Sequence, residues 1–336
     1  TLYNGNKRLK TIQQEKLNNQ VAELDVATSE NNIQESIAQV YIQILYAAES
    51  VKVNESTLQV SIAQRDRGQE LLNAGSIAKS DFAQLEAQVS TDRYQLVTAQ
   101  ATLEDYKLQL KQLLELDGEN EMNIYLPALS DENVLAPLPT KKDVYIRALS
   151  LRPEIEASKL NVEASELGIG IAKAGYRPTI SLSAGIGTNH TSGSDFTFGE
   201  QVKNGWNNSI GLSVSVPIFN NRQTKSAVQK AKLQYETSML SLLDEQKTLY
   251  KTIEGLWLDA NSAQQRYAAA NEKLKSTQIS YELISEQFNL GMKNTIELLT
   301  EKNNLLQAQQ EQLQAKYMAI LNMQLLKFYQ GDQLAI

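Results

Sequence analysis

The sequence predicts a mainly α protein that is internally duplicated: two long antiparallel helical hairpins, plus two strands contributed to a transmembrane β-barrel shared between chains. Three observations predict it. First, Gly75 and Gly291 lie 216 positions apart, and the same shift pairs Asn4 with Asn220, Gln13 with Gln229, Lys16 with Lys232, Glu70 with Glu286, Asn73 with Asn289 and Ala99 with Ala315. No gap is needed, which is the mark of an internal repeat. Second, each copy carries long proline-free stretches in which apolar residues recur at helical steps, as at Ile33, Ile37, Val40 and Ile44. Third, all six prolines fall between Pro127 and Pro217, and there the apolar period changes from helical to two.

Residues 1–6 read as the end of a barrel strand entering a helix. Leu2-Tyr3-Asn4-Gly5 mirrors Ile218-Phe219-Asn220-Asn221, and Asn suits a helix start because its side-chain oxygen accepts from free first-turn amides. Residues 7–116 form the first-copy hairpin. Its first helix, at ~1.5 Å per residue, extends about 100 Å. The tip lies at 73–76, where Gly75 supplies the left-handed backbone that ends a helix, and Ser80 or Asp81 is expected to cap the return helix. That helix carries a seven-residue repeat, Phe82, Val89, Leu96, Leu103 and Leu110, with Ala99, Tyr106 and Leu113 in the second seam position and Asp92 interrupting it. A sustained period of seven implies a left-handed supercoil against a neighbouring helix.

Residues 117–141 read as an irregular connector. Residues 142–175 read as helix, with Pro153 early in its second part, where its missing N–H is harmless. Residues 176–219 then alternate. Ile180, Leu182, Ala184 and Ile186 are interleaved with Ser181, Ser183 and Gly185; Ile210, Leu212, Val214, Val216 and Ile218 with Gly211, Ser213 and Ser215. Strands of about 9–11 residues with one apolar and one small polar face suit a membrane barrel. Tyr176 and Trp206 fall near the strand ends, where interfacial aromatics belong. Residues 189–205 read as an exposed extracellular loop. Residues 220–330 form the second-copy hairpin, tip at 289–292, with its own stripe of Leu299, Leu306, Leu313 and Ile320.

Two strands cannot close a barrel, and open edges are not tolerated in hydrocarbon. Several chains must therefore contribute; with the missing first segment restored each would offer about four strands, and barrels of about eight to sixteen strands then correspond to two to four subunits. The partner of the segment from about Lys142 to Val216 would fall before residue 1 at this shift, so copy one is expected to lack its leading segment.

Composition narrows the function. A net charge of −7 opposes nucleic-acid binding, which needs an excess of cationic side chains on one face. There is no cysteine, which fits an oxidising compartment without requiring one. No apolar run reaches the ~18 residues of a spanning helix. His190 is the sole histidine and sits in the loop, so no metal site or cofactor is expected. Glu286 and Glu297 flank a turn with no implied pocket, so they do not form a catalytic carboxylate pair, and no enzyme activity is expected.

Several stretches resemble the TolC-type outer-membrane efflux factors. Leu151-Arg152-Pro153-Glu154-Ile155 with Leu160-Asn161-Val162-Glu163-Ala164 looks like the family's lead-in helix. Ala172-Lys173-Ala174-Gly175-Tyr176-Arg177-Pro178 looks like its approach to a barrel strand, and Val216-Pro217-Ile218-Phe219-Asn220 like its strand-to-helix corner. Leu72-Asn73-Ala74-Gly75 and Phe288-Asn289-Leu290-Gly291 look like its hairpin tips. The order and spacing of these stretches are more specific than any one of them.

The resemblance implies a homotrimer with a twelve-strand barrel in outer-membrane lipid and a periplasmic α-barrel of twelve helices. It implies tips that dock a periplasmic adaptor protein (Asn73, Ala74, Gly75, Asn289, Leu290, Gly291), an inner-membrane pump beyond the adaptor, and passive export in efflux or type I secretion. Glu297 then falls at an acidic pore constriction, and Thr300 where the family's pattern carries a second acid. Lys293 and Asp81 fall where a basic–acidic latch joins neighbouring hairpins. The competing reading is a soluble periplasmic coiled-coil scaffold or adaptor-like protein whose two strands form an ordinary hairpin.

Overall fold

The computed structural model describes residues 1–116, 124, 125, 127 and 134–334. In chain order the elements are β1 (Tyr3–Asn4), α1 (Lys7–Asn73), α2 (Lys79–Leu113), α3 (Lys141–Leu151) and α4 (Pro153–Lys173). After these come β2 (Thr179–Gly187), α5 (Phe198–Asn204), β3 (Asn207–Ser215), α6 (Gln223–Asn289) and α7 (Thr295–Tyr329). Of the connector expected over 117–141, residues 117–123, 126 and 128–133 lie outside the described residues.

The duplication is visible in the backbone. Helices α1 and α6 each have 67 residues, and α2 and α7 each have 35. At the first tip Gly75 N–H donates to the Leu72 carbonyl at 3.0 Å and Ser76 N–H to Leu71 at 2.8 Å. At the second, Gly291 N–H donates to Phe288 at 2.9 Å and Met292 N–H to Gln287 at 2.8 Å. These paired bonds satisfy the last orphan carbonyls of a helix when the next residue is left-handed. Gly75 has φ +74° and Gly291 φ +75°. The strand-to-helix corners repeat too, with positive φ at Gly5 and Asn6 and again at Asn221 and Arg222.

The chain divides into two compact units. One comprises residues 1–28 and 152–247, the other 29–151 and 248–336. In the first, β1, β2 and β3 form an antiparallel sheet in that order. The register pairs Ile180 with Val214, Leu182 with Leu212 and Ala184 with Ile210, while Ser181 faces Ser213 and Gly185 faces Ser209. Since successive side chains alternate faces, this register gathers the apolar residues of both strands on one face. Helix α4 begins with Pro153 in its first turn, and the Gln14 side-chain amide donates to the Ala164 carbonyl at 2.8 Å.

In the second unit a core of Ile42, Leu45, Val134, Tyr267, Tyr317, Ile320 and Leu325 joins α1, α6 and α7. Nearer the tips a smaller cluster joins Leu85, Phe288 and Leu298. The connector's last described stretch docks on α6. Gln264 donates to the carbonyls of Val134 and Ala136, both at 2.8 Å, and the Trp257 indole N–H donates to Pro139 at 2.9 Å.

Three expectations are corrected. Residue Ala78, not Ser80 or Asp81, is the N-cap of α2; Asp81 sits three residues on, where its carboxylate accepts from the Ala78 N–H at 3.4 Å. The span 189–205 is not loop throughout, because Thr197 caps the short helix α5 and Glu200 returns a bond to the Thr197 N–H at 2.9 Å. The alternation was read on to Ile218, whereas β3 ends at Ser215: Pro217 has no amide for a ladder.

Nothing lies within 4 Å of a Cβ built on Gly75 or Gly291. Alanine at either therefore suffers only from its left-handed backbone. Gly75→Ala and Gly291→Ala are each expected to lose about 1 kcal/mol, equal within error, as measured by denaturant unfolding.

Candidate functional site

Asn294 caps α7, its side-chain oxygen accepting from the Glu297 N–H at 2.9 Å, while the Glu297 carboxylate accepts from the Asn294 N–H at 3.3 Å. This reciprocal box satisfies two amides that a helix start otherwise leaves open. Lys293 donates to the same carboxylate at 2.6 Å. The Lys293 bond, then the backbone bond from Asn294, hold the Glu297 carboxyl below its ordinary value near 4.5. Thr300 spends its hydroxyl on the Ile296 carbonyl of its own helix, at 2.8 Å.

Lys293 and Asp81 are not brought together within the chain: Lys293 is held by Glu297, and Asp81 serves the start of α2. The two tips differ chemically. Leu290 and Met292 expose their side chains at the second, whereas Ala74 and Ser76 occupy the first. Asn73 accepts from Gln69 at 3.0 Å, and the Asn289 carbonyl accepts from Arg67 of α1 at 3.3 Å.

A few turns inward lies a buried polar cluster that the sequence reading did not nominate. Lys302 of α7 contacts both Asp92 of α2 and Ser61 of α1. The Lys302 and Asp92 side chains are only 3% and 1% exposed. Gln88 donates to the second Asp92 oxygen at 2.9 Å. Burial pulls the Lys302 ammonium below its ordinary range, and Asp92 pulls it back up. The signal was present in the heptads. Asp92 stands three residues after Val89 and Lys302 three after Leu299, so opposite charges occupy the same inward seam position on two facing helices. Close by, Gln64 donates to the Tyr281 hydroxyl at 2.8 Å. Among the described residues no group of three potential ligands could hold a metal ion.

The sheet, in the first unit, presents a separate candidate surface. Ile210 is 83% and Ile218 96% exposed, and Leu182, Ile186, Leu212, Val214 and Val216 are exposed as well. Contiguous exposed apolar area on this scale marks an interface with lipid or another protein. Tyr176 and Trp206 are also exposed. Tyr176 lies just before β2 and Trp206 just before β3, which an antiparallel pairing puts at opposite ends of the ribbon.

A profile of the outer membrane efflux protein family matches residues 144–331, more than half of the chain, and the chain belongs to that family. It is 23% identical over 311 residues to outer membrane protein TolC of Escherichia coli (strain K12), covering 90% of this chain and 62% of TolC. It is 24% identical over 290 residues to outer membrane efflux protein BepC of Brucella suis biovar 1 (strain 1330), covering 86% of this chain and 60% of BepC. The chain thus spans about three-fifths of the length of these relatives. Its fold is similar to that of the CmeC outer membrane channel of Campylobacter jejuni, with a TM-score of 0.80 at 19% identity over 98% of this chain and 69% of CmeC.

Two measurements test the site. Breaking a buried ion pair by removing one partner strands the other charge, so Asp92→Ala is expected to lose about 3–5 kcal/mol in denaturant unfolding, whereas the apolar double variant Asp92→Leu/Lys302→Met is neutral or stabilising. Glu297 binds its proton more weakly folded than unfolded, so its contribution is complete above about pH 4.5 and fades as pH falls through its depressed folded value. Hydrogen exchange at the Asn294–Leu298 amides, corrected for intrinsic rates, is expected to lose protection only below that point, and to be pH-insensitive there in Glu297→Gln.

Proposed function

We propose that the complete protein is an outer-membrane exit duct, a homotrimer whose shared β-barrel lies in outer-membrane lipid and whose hairpins form a periplasmic tunnel for passive export. The observation that carries this reading is the ribbon register. Two nine-residue strands gather every branched apolar side chain on one exposed face and serines and glycines on the other, as lipid outside and water inside require. The outer edge of β3 has no strand beside it among the described residues, and such an edge is intolerable in hydrocarbon unless a further strand completes it. Three copies sharing one barrel fit the expectation drawn from the family.

The tips serve as the docking points for a periplasmic adaptor and, through it, an inner-membrane pump. Glu297 lines the tunnel entrance as a single acidic ring, because Thr300 replaces a second acid with a neutral hydroxyl. Lys293, in the turn before α7, is shared between Glu297 of its own hairpin and Asp81 of a neighbouring one, so one ammonium couples the ring to the latch. The passage contributes no chemistry of its own. The pump supplies the energy and the choice of cargo, in efflux or type I secretion.

Fractionation of cells making the complete protein is expected to leave it in the outer membrane until detergent is added; release in the soluble periplasmic fraction would instead favour a coiled-coil scaffold. In planar bilayers Lys293→Ala is expected to raise single-channel conductance, and Glu297→Ala to weaken block by di- and trivalent cations. Unchanged values in both variants would remove the entrance assignments while leaving the duct itself standing.

A further inference from the structure

The repeat builds one groove twice. In the second unit a cavity of about 370 Å³ runs between α1 and α2, lined among others by Ser50, Asn54 and Gln95, and Gln310 of α7 reaches it from the other hairpin. The cavity between α6 and α7 is larger, about 510 Å³. The 216-residue shift carries Ser50 to Arg266, Asn54 to Ala270 and Gln95 to Glu311, and all three line this second cavity. Among the described residues its lining comes from α6 and α7 alone. The substitutions change what fits. Asn54 is 4% exposed and fills the first floor with an amide, whereas Ala270 leaves only a methyl group in the second. Beside that wider floor stands Arg266, which is exposed, and a planar guanidinium stacks well on aromatic rings.

We infer that the α6–α7 groove receives Tyr94 from a second copy of this chain. This rests on the shared-duct reading above, in which the far neighbour of the second hairpin is the first hairpin of the next chain. Residue 94 is the repeat equivalent of Gln310 and lies as far past Gly75 as Gln310 lies past Gly291. It is therefore the position that meets the second groove as Gln310 meets the first. Tyr94 is 74% exposed within its own chain, so its ring is free to make that contact. A larger knob faces a larger hole: amide meets amide in the within-chain seam, and ring meets methyl in the between-chain seam. Exchanges that conserve total volume keep a seam packed, and a tyrosine ring is a rigid anchor with a polar tip. The pairing also fixes which hairpins are neighbours. Tyr94 against Asn54 overfills the smaller groove, and Gln310 against Ala270 leaves a void, so wrong partners are penalised on both sides.

Photocrosslinking and reciprocal substitution test this on the complete protein in detergent. With the photoreactive p-benzoyl-phenylalanine in place of Tyr94, irradiation is expected to give covalent multimers, and mass spectrometry to map the adduct to residues 266–273 or 311–318. Tyr94→Gln and Ala270→Asn, one removing the knob and the other filling the hole, are each expected to raise the monomer fraction on mild gels about fivefold, as loss of an interface anchor does. The double variant Tyr94→Gln/Ala270→Asn, which gives the between-chain seam the chemistry of the within-chain one, is expected to recover assembly to within about twofold. A native multimer whose adducts stay within the chain or map elsewhere overturns the inference and leaves the duct standing. So does a monomer fraction unchanged in Tyr94→Gln, or a double variant as weak as the two losses combined. If the native protein has the mass of a monomer in detergent, the shared duct fails and the inference falls with it.

Discussion

The constraint on which the chain turns is the hydrogen-bonding demand of the β2–β3 ribbon. Backbone amides cannot be left unpaired in hydrocarbon, and each orphan there costs several kcal/mol. The ribbon meets this internally along one edge only, since β2 pairs with β3 and briefly with β1. Its apolar face makes water a poor surrounding, and among the described residues the outer edge of β3 has no strand beside it. The shared barrel proposed above would resolve both conflicts together.

The helical part answers a different demand, that of keeping long helices in one register. Leucine seams alone tolerate sliding, because one apolar contact is much like the next. This chain adds marks that do not tolerate it. The Leu85–Phe288–Leu298 cluster sits beside the tips, and the Lys302–Asp92 pair is set among buried polar residues of α1, Thr57, Ser61 and Gln64. Polar residues in a coiled-coil core lower stability while fixing which neighbour is correct. Glu297, Lys293 and Asn294 act at the helix end in the same spirit, combining a cap with an ion pair so that the tip has one conformation.

Much of this was legible in the residues. The 216-residue repeat located both tips because glycine at a left-handed position leaves a mark that survives divergence. The strand faces were legible because a period of two has no other reading over nine residues. The start of α2 was misplaced because Ala78 has no capping side chain, so the local signal pointed to Ser80 and Asp81 instead. Helix α5 went unread because seven residues carry too little periodicity, although Thr197 and Glu200 form a capping box. The buried cluster was half seen. Asp92 stood out as a break in the heptad, but its meaning depends on Lys302, 210 positions away, and only packing brings them together. The latch read for Lys293 and Asp81 is a contact between neighbouring hairpins; within the chain the Lys293 ammonium is held by Glu297, four residues on.

The strand-to-helix corners show what duplication leaves behind. In the first copy the two left-handed positions are Gly5 and Asn6, residues that adopt such backbone readily. In the second they are Asn221 and Arg222, and arginine has no intrinsic liking for that region. The second bend is kept without a residue that favours it, so something outside the bend holds it. Thr224 is placed to do so, accepting from the Asn220 amide and donating to the Gly175 carbonyl at 3.3 Å. One corner is favoured by its own residues and the other is held by its surroundings, so the two halves of one chain are unequal in how freely each corner could drift.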